Sequence, residues 1–294
     1  MARVIAEYGF DYTRVNMHLL VSRQTDFRFY DDTYQSYLGR TYQDVAKFDY
    51  STGSDYRAFF GGSGVRFNDN FTEVVAGTAT GFVEAVWDGS SYVPLWLVDG
   101  FSIPATRIAA AIDSSSRTDD FSVIATILAG NDTMRLSSFA DKMRGYSGND
   151  KLYGNGGNDV LFGNEGDDTL AGGADNDVLL GGSGRDRFVF ASSAASANAD
   201  SIRDFERGVD KILLDDDVFT GLGSGTATGK PINAANYRIG TAARDGNDYL
   251  VYDTGTNKLY FDPDGSGPET PKLIATIPLT GSSAPAASDF LLMT

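Results

Sequence analysis

Between residues 130 and 190 an aspartate returns every nine residues: Asp132, Asp141, Asp150, Asp159, Asp168, Asp177 and Asp186. Two positions after each stands an apolar side chain, in turn Met134, Met143, Leu152, Leu161, Leu170, Leu179 and Phe188. Two positions before five of the seven stands a glycine (Gly130, Gly148, Gly157, Gly166, Gly184), and Gly145, Gly154, Gly163, Gly172 and Gly181 open the last five units. A Gly-rich linker needs no such register. Six residues of Gly, Asn and Asp make a tight turn, because Gly and Asn tolerate positive φ at little cost. The three that follow, such as "VLF" at 160–162, suffice for a short strand whose middle side chain alone points inward. Two units therefore make one coil of a right-handed parallel roll, and turns eighteen residues apart stack on the same edge.

Stacked carboxylates repel unless a cation joins them. With turn carbonyls beside them they form an oxygen cage, which suits Ca²⁺ and its six to eight oxygens at about 2.3–2.6 Å. Mg²⁺ resists shedding its waters, and zinc prefers nitrogen or sulfur. The chain has no cysteine and one histidine. Its net charge of −16, with pI near 4.3, repels phosphate backbones and argues against nucleic acid as a partner.

The units resemble the GGxGxDxUx nonapeptides of RTX (repeat-in-toxin) proteins. "GGSGRDRFV" (181–189) fits every defined position, and "GNGGNDVLF" and "GNEGDDTLA" fit with Asn at the second. "GGADNDVLL" carries Asp175 where Gly is usual, while "ILAGNDTMR" and "LSSFADKMR" depart further, which leaves Asp141 in doubt. The resemblance implies a Ca²⁺-binding β-roll with Asp150 paired to Asp168, Asp159 to Asp177, Asp168 to Asp186, and Asp132 to Asp150 as a fourth pair. Gly148, Gly157, Gly166, Gly184, Asn149, Asn158 and Asp167 are the turn residues expected to stand with them around three to five ions.

The expected layout is all-β: a β-rich domain over 1–118, the roll over 119–190, and a β cap with a secretion signal over 191–294. "DSIRDFERGVDKILL" (200–214) resembles the piece that follows the roll in serralysin-type proteins and is expected to continue the β architecture and close its open end. An extra cation site using Asp200 or Asp204 is the second reading. "DPDGSG" (262–267) places Asp262 and Asp264 as an EF-hand loop would, yet its twelfth position is Leu273 and not the bidentate Glu, so it reads as a β-turn between hairpin strands. The C-terminal Asp289, Phe290, Leu291, Leu292 and Met293 resemble the uncleaved signal that type I secretion machinery reads, with a terminal β-strand as the structural alternative. The N-terminus lacks the pattern of a cleavable signal peptide, and no apolar run is long enough to span a bilayer. Together these imply a secreted, extracellular protein of a Gram-negative bacterium.

The first 118 residues say less. "TATGFVEAVW" and "SYVPLWLV" around "WDGSSY" read as a β-hairpin, while "RIAAAI" and "FSVIATIL" read as strands or a short helix. A single histidine, His18, excludes an HExxH zinc site, and no G-x-S-x-G elbow is present. "FFGGSGVRF" (59–67) lacks the Lys and helix of a phosphate loop. Asp31, Asp32, Glu73 and Glu84 could serve a glycosidase, but their spacing selects no pair. The Tyr- and Phe-rich stretch 27–60 reads as core before it reads as a sugar-stacking surface. The expectation is a non-enzymatic protein with a surface, adhesion or host-contact role and a cell-surface or glycan ligand. The alternative is an exported, glycan-directed hydrolase.

Overall fold

In the computed structural model the apolar triplets become parallel strands stacked in two sheets. Residues 3–6, 24–30, 35–37, 40–42, 44–51, 55–67, 74–87, 92–104, 117–192, 198–279 and 283–294 are described. The chain forms two units, Met1–Leu136 and Ser137–Thr294.

In the second unit one sheet runs through Lys142–Ser147, Val160–Glu165, Val178–Ser183, Asp200–Ile202 and Lys272–Thr276, each parallel to the next. The other runs through Lys151–Asn155, Thr169–Gly173, Arg187–Phe190, Lys211–Asp215 and Phe290–Met293, again all parallel. Register aligns Met143, Leu161, Leu179 and Ile202 in the first sheet, and Leu152, Leu170, Phe188, Ile212 and Phe290 in the second. All of these side chains are at most 1% exposed, so the middle residue of each triplet is the core. This is the parallel β-roll that the nine-residue period predicts.

Each turn reverses with two left-handed residues two positions apart. The first is Tyr146, Asn155, Asn164, Gly173 or Gly182, and the second is Gly148, Gly157, Gly166, Asp175 or Gly184, all with φ between 73° and 138°. Asn and Asp meet this demand at small cost, which explains Asp175 in a glycine's place. Gly166 also needs its missing side chain, because a methyl there would strike the carbonyl of Gly148 one coil below.

The segment 200–214 does not close the roll. It contributes two further rungs, Asp200–Ile202 and Lys211–Asp215, and the roll is closed by later strands. Lys258–Phe261 and Leu250–Asp253 extend one sheet antiparallel, and Lys230–Pro231 runs antiparallel at the edge of the other. An edge proline offers no amide for further pairing. The 252–279 stretch forms the expected hairpins, and the C-terminal Phe290–Met293 is a buried parallel strand.

The first unit is an antiparallel meander of Gln24–Tyr30, Asp44–Ser51, Asp55–Phe67, Val74–Trp87 and Tyr92–Pro104, continued by Arg3–Ala6 and then Thr133–Arg135, the last pairing parallel. The expected hairpin is the pair Val74–Trp87 and Tyr92–Pro104. "FSVIATIL" falls in and just beyond the helix Arg117–Ile127. "FFGGSGVRF" lies inside a strand paired on both sides. Glu84 stands opposite Ala58 and Trp96 in that sheet. His18, Asp31, Asp32, Glu73 and "RIAAAI" lie outside the described residues.

Leu161 is fully buried between Met143 and Leu179 in the core column. Leu161→Ala should lower the unfolding free energy by about 2–5 kcal/mol, the usual cost of such a cavity, in urea denaturation of the full chain. A loss well under 1 kcal/mol would contradict this packing.

Candidate metal centre

A nonapeptide ends its turn and starts its strand at the aspartate, so the carboxylate is held against backbone on both sides. The Asp141 amide donates to Asp159 Oδ1 at 2.7 Å, and the Asp159 amide to Asp177 Oδ1 at 2.8 Å. On the other edge the Asp150 amide donates to Asp168 Oδ1 at 2.7 Å, and the Asp168 amide to Asp186 Oδ1 at 2.9 Å. Residues eighteen apart are thus neighbours, in two columns. Asp141, Asp150, Asp159, Asp168, Asp177 and Asp186 are each at most 3% exposed.

The second oxygen of each carboxylate decides the chemistry. Oδ2 of Asp159, Asp168, Asp177 and Asp186 is buried and has no hydrogen-bond partner. It lies over the glycine that opens its own unit: a methyl at Gly154, Gly163, Gly172 or Gly181 would fall on the carboxylate of Asp159, Asp168, Asp177 or Asp186. At Gly154 and Gly163 the methyl would also meet a glycine carbonyl of the next coil, Gly172 or Gly181. The cradle therefore offers carboxylate and carbonyl oxygens and excludes side-chain carbon. Burial, reinforced by neighbouring carboxylates, raises the carboxyls of Asp159 to about 8, Asp177 to about 7, Asp186 to about 7 and Asp168 to about 6. Among the described residues no three acidic or histidine side chains meet at a point, so carbonyls must complete any coordination sphere. Hard, oxygen-only donors of this kind fit Ca²⁺.

One column starts, and the other ends, on an aspartate whose second oxygen is satisfied. Asp141 Oδ2 accepts from the amide and hydroxyl of Ser137, each at 2.8 Å, and so serves a loop. Asp210 Oδ2 accepts from the Glu206 amide at 2.7 Å. Asp132, in the first unit, is also buried.

Asn149, Asn158 and Asp167 use their side chains elsewhere. Asn149 Oδ1 accepts from the Asp167 amide at 2.9 Å, Asn158 Oδ1 from the Asn176 amide at 3.0 Å, and Asp167 Oδ1 from the Arg185 amide at 2.9 Å. These residues form a second, solvent-facing ladder that joins the same coils in the opposite sense. Arg185 pairs with Asp167 at 2.7 Å and holds its carboxyl below the ordinary value.

Asp200 and Asp210 continue the columns beyond the nonapeptides. Asp200 Oδ1 accepts from the Asp177 amide at 3.1 Å, and Asp210 Oδ1 from the Asp186 amide at 3.0 Å. Extra residues break the nine-residue step before both. Yet each keeps an isoleucine two positions on, Ile202 and Ile212, and that Asp-x-apolar signature was the available signal. Asp204, the other acid read for an extra cation site, instead accepts from the amides of Gly181 and Gly182 at 3.0 and 2.9 Å.

Residues 128–161 and 153–188 match the RTX calcium-binding nonapeptide repeat family (4 copies). The chain thus carries RTX calcium-binding repeats. Solved structures similar to it include the AlgE6R2 subunit of the Azotobacter vinelandii mannuronan C5-epimerase, at 24% identity over 56% of this chain and 92% of that one, with a TM-score of 0.32. The AlgE6R3 subunit of the same epimerase matches at 23% identity over 55% of this chain and 78% of that one, with a TM-score of 0.23. No curated protein matches the chain.

Carboxyls raised from an unfolded value near 4 to between about 6 and about 8 make the folded state the stronger proton binder. Their contribution to stability is complete below about pH 4 and is lost as pH rises through 6 to 8. In chelator the β signal in far-UV circular dichroism should therefore weaken from mildly acid pH toward pH 8. Ca²⁺ added near pH 5.5, below the raised carboxyls, where the metal-free roll is protonated and still folded, should release protons, read in a pH-stat. A chelated roll equally stable across that range, with no proton release, would contradict this electrostatic picture.

Proposed function

We propose that this is an exported, non-enzymatic calcium-binding protein whose roll folds when Ca²⁺ fills its turns, and which acts in surface, matrix or host contact. The observation that carries the reading is the buried Oδ2 of Asp159, Asp168, Asp177 and Asp186, which lacks any partner in the protein. A carboxylate held that way is stable only with a proton or a cation. Inside a cell, where Ca²⁺ is scarce, repulsion along the columns keeps the roll open. Outside, Ca²⁺ binds the folded form only, and its binding free energy becomes folding free energy.

The adjacent rungs support an ion count of three to five. Asp150–Asp168, Asp159–Asp177 and Asp168–Asp186 supply three pairs, and Asp177–Asp200 and Asp186–Asp210 would extend the set to five.

The C-terminal segment supports export before folding. Asp289 and Phe290 are fully buried and Leu292 is nearly so. Asp289 accepts from Lys211 Nζ at 3.0 Å, the Gly208 amide at 3.2 Å and the Ala286 amide at 2.9 Å. Secretion machinery that reads Asp289–Met293 could reach it only in the unfolded chain. Among the described residues no helix is long and apolar enough to cross a membrane.

At pH 8, β structure should appear in circular dichroism as Ca²⁺ is raised through roughly 0.1–1 mM, the range of extracellular calcium modules. A double Asp159→Ala, Asp177→Ala variant should need about ten-fold more Ca²⁺ or fail to fold. A roll fully folded in chelator at that pH would sink the switch. The Ca²⁺-loaded chain on glycan arrays and cell surfaces tests the role: binding without turnover is expected. Glycan cleavage would transfer the reading to a hydrolase seated in residues 1–118.

A further inference from the structure

The loop between Lys258–Phe261 and Lys272–Thr276 holds a second pair of neighbouring aspartates, one buried and one half-buried, outside the repeats. Its sequence is "DPDGSGPETP", residues 262–271. Asp262 is 3% exposed, and its Oδ1 has no hydrogen-bond partner. Asp264 Oδ1 is likewise buried without one. The two carboxyls lie within hydrogen-bonding reach of each other, and burial, followed by Asp264 and Glu269, raises that of Asp262. Among the described residues neither acid has a basic partner. Two neighbouring carboxyls, each with an oxygen shut off from water and without a partner, cannot both be ionised unless a cation stands between them.

The backbone holds this pair in place. The Asp262 amide donates to the Tyr249 carbonyl at 2.8 Å, and the Ser266 amide to the Asp245 carbonyl at 2.9 Å. The Glu269 amide donates to Asp264 Oδ2 at 3.1 Å. Gly265 turns the chain with φ 63°, and a methyl at Gly267 would fall on the Asp264 carboxylate. Leu273, which occupies the twelfth position of an EF-hand count, sits in a strand opposite Tyr260, so this is not an EF-hand.

We propose that Asp262 and Asp264 form a separate divalent-cation site, completed by carbonyls of their own loop and by water, that takes a hard ion of the Ca²⁺ type and fastens the hairpin. It draws on none of the nonapeptide residues and stands or falls apart from the roll.

The test is the Ca²⁺ stoichiometry of the full chain by isothermal titration calorimetry, parent against the shape-preserving double variant Asp262→Asn, Asp264→Asn. The variant should bind one ion fewer while its circular dichroism in saturating Ca²⁺ matches the parent. An unchanged count with parental dichroism overturns the site. If the double variant fails to fold, Gly267→Ala, which keeps both acids but crowds Asp264, should weaken one ion by about 10- to 100-fold, and unchanged binding there overturns it equally. A parent that binds a single ion, lost in the double variant, would defeat the roll reading and leave this one standing.

Discussion

Asp159, Asp168, Asp177 and Asp186 each give one carboxylate oxygen to the amide of the aspartate a coil earlier and leave the other against the glycine that opens their own unit. That arrangement fixes coil spacing, because the same residue that ends a turn also sets the register of the next strand. It also makes the roll conditional. A hydrogen bond of about 1 kcal/mol net per rung does not offset several like charges buried in line. The core of Leu152, Leu161, Leu170, Leu179 and Phe188 is sealed, yet it is one side chain thick per strand. Small cores of this kind need an added ligand to be secure.

Much of the roll was legible because its period is rigid. Every inward residue from Met143 to Phe188 follows from the alternation of a three-residue strand, and the turn chemistry follows from paired left-handed positions. What stayed hidden had lost the period or used a different bond. Asp200 and Asp210 stand in the columns but follow longer connections. A reading by nine-residue steps therefore stops at Asp186 and takes 200–214 for a cap. Asn149, Asn158 and Asp167 flank the buried carboxylates in sequence, yet alternation at the turn sends them outward, where they tie coils together. Spacing alone did not distinguish a donor aimed inward from one aimed outward.

The remainder was read less well for physical reasons. The hairpin of "TATGFVEAVW" and "SYVPLWLV" was visible because alternation and a Gly-containing turn agree. "FSVIATIL" was ambiguous because a short apolar run has no decisive period, and it is largely helical. The C-terminal "DFLLMT" was read as a secretion signal or a terminal strand, and Phe290–Met293 is a parallel strand that buries Phe290 and Leu292.

The most direct measurement is amide hydrogen exchange at Asp150, Asp159 and Asp168, whose amides donate to the next carboxylate in the column. At pH 7 these amides should be strongly protected in millimolar Ca²⁺ and exchange nearly freely in chelator. Equal protection in both conditions would mean that the columns stand without a cation, and would contradict the account at its base.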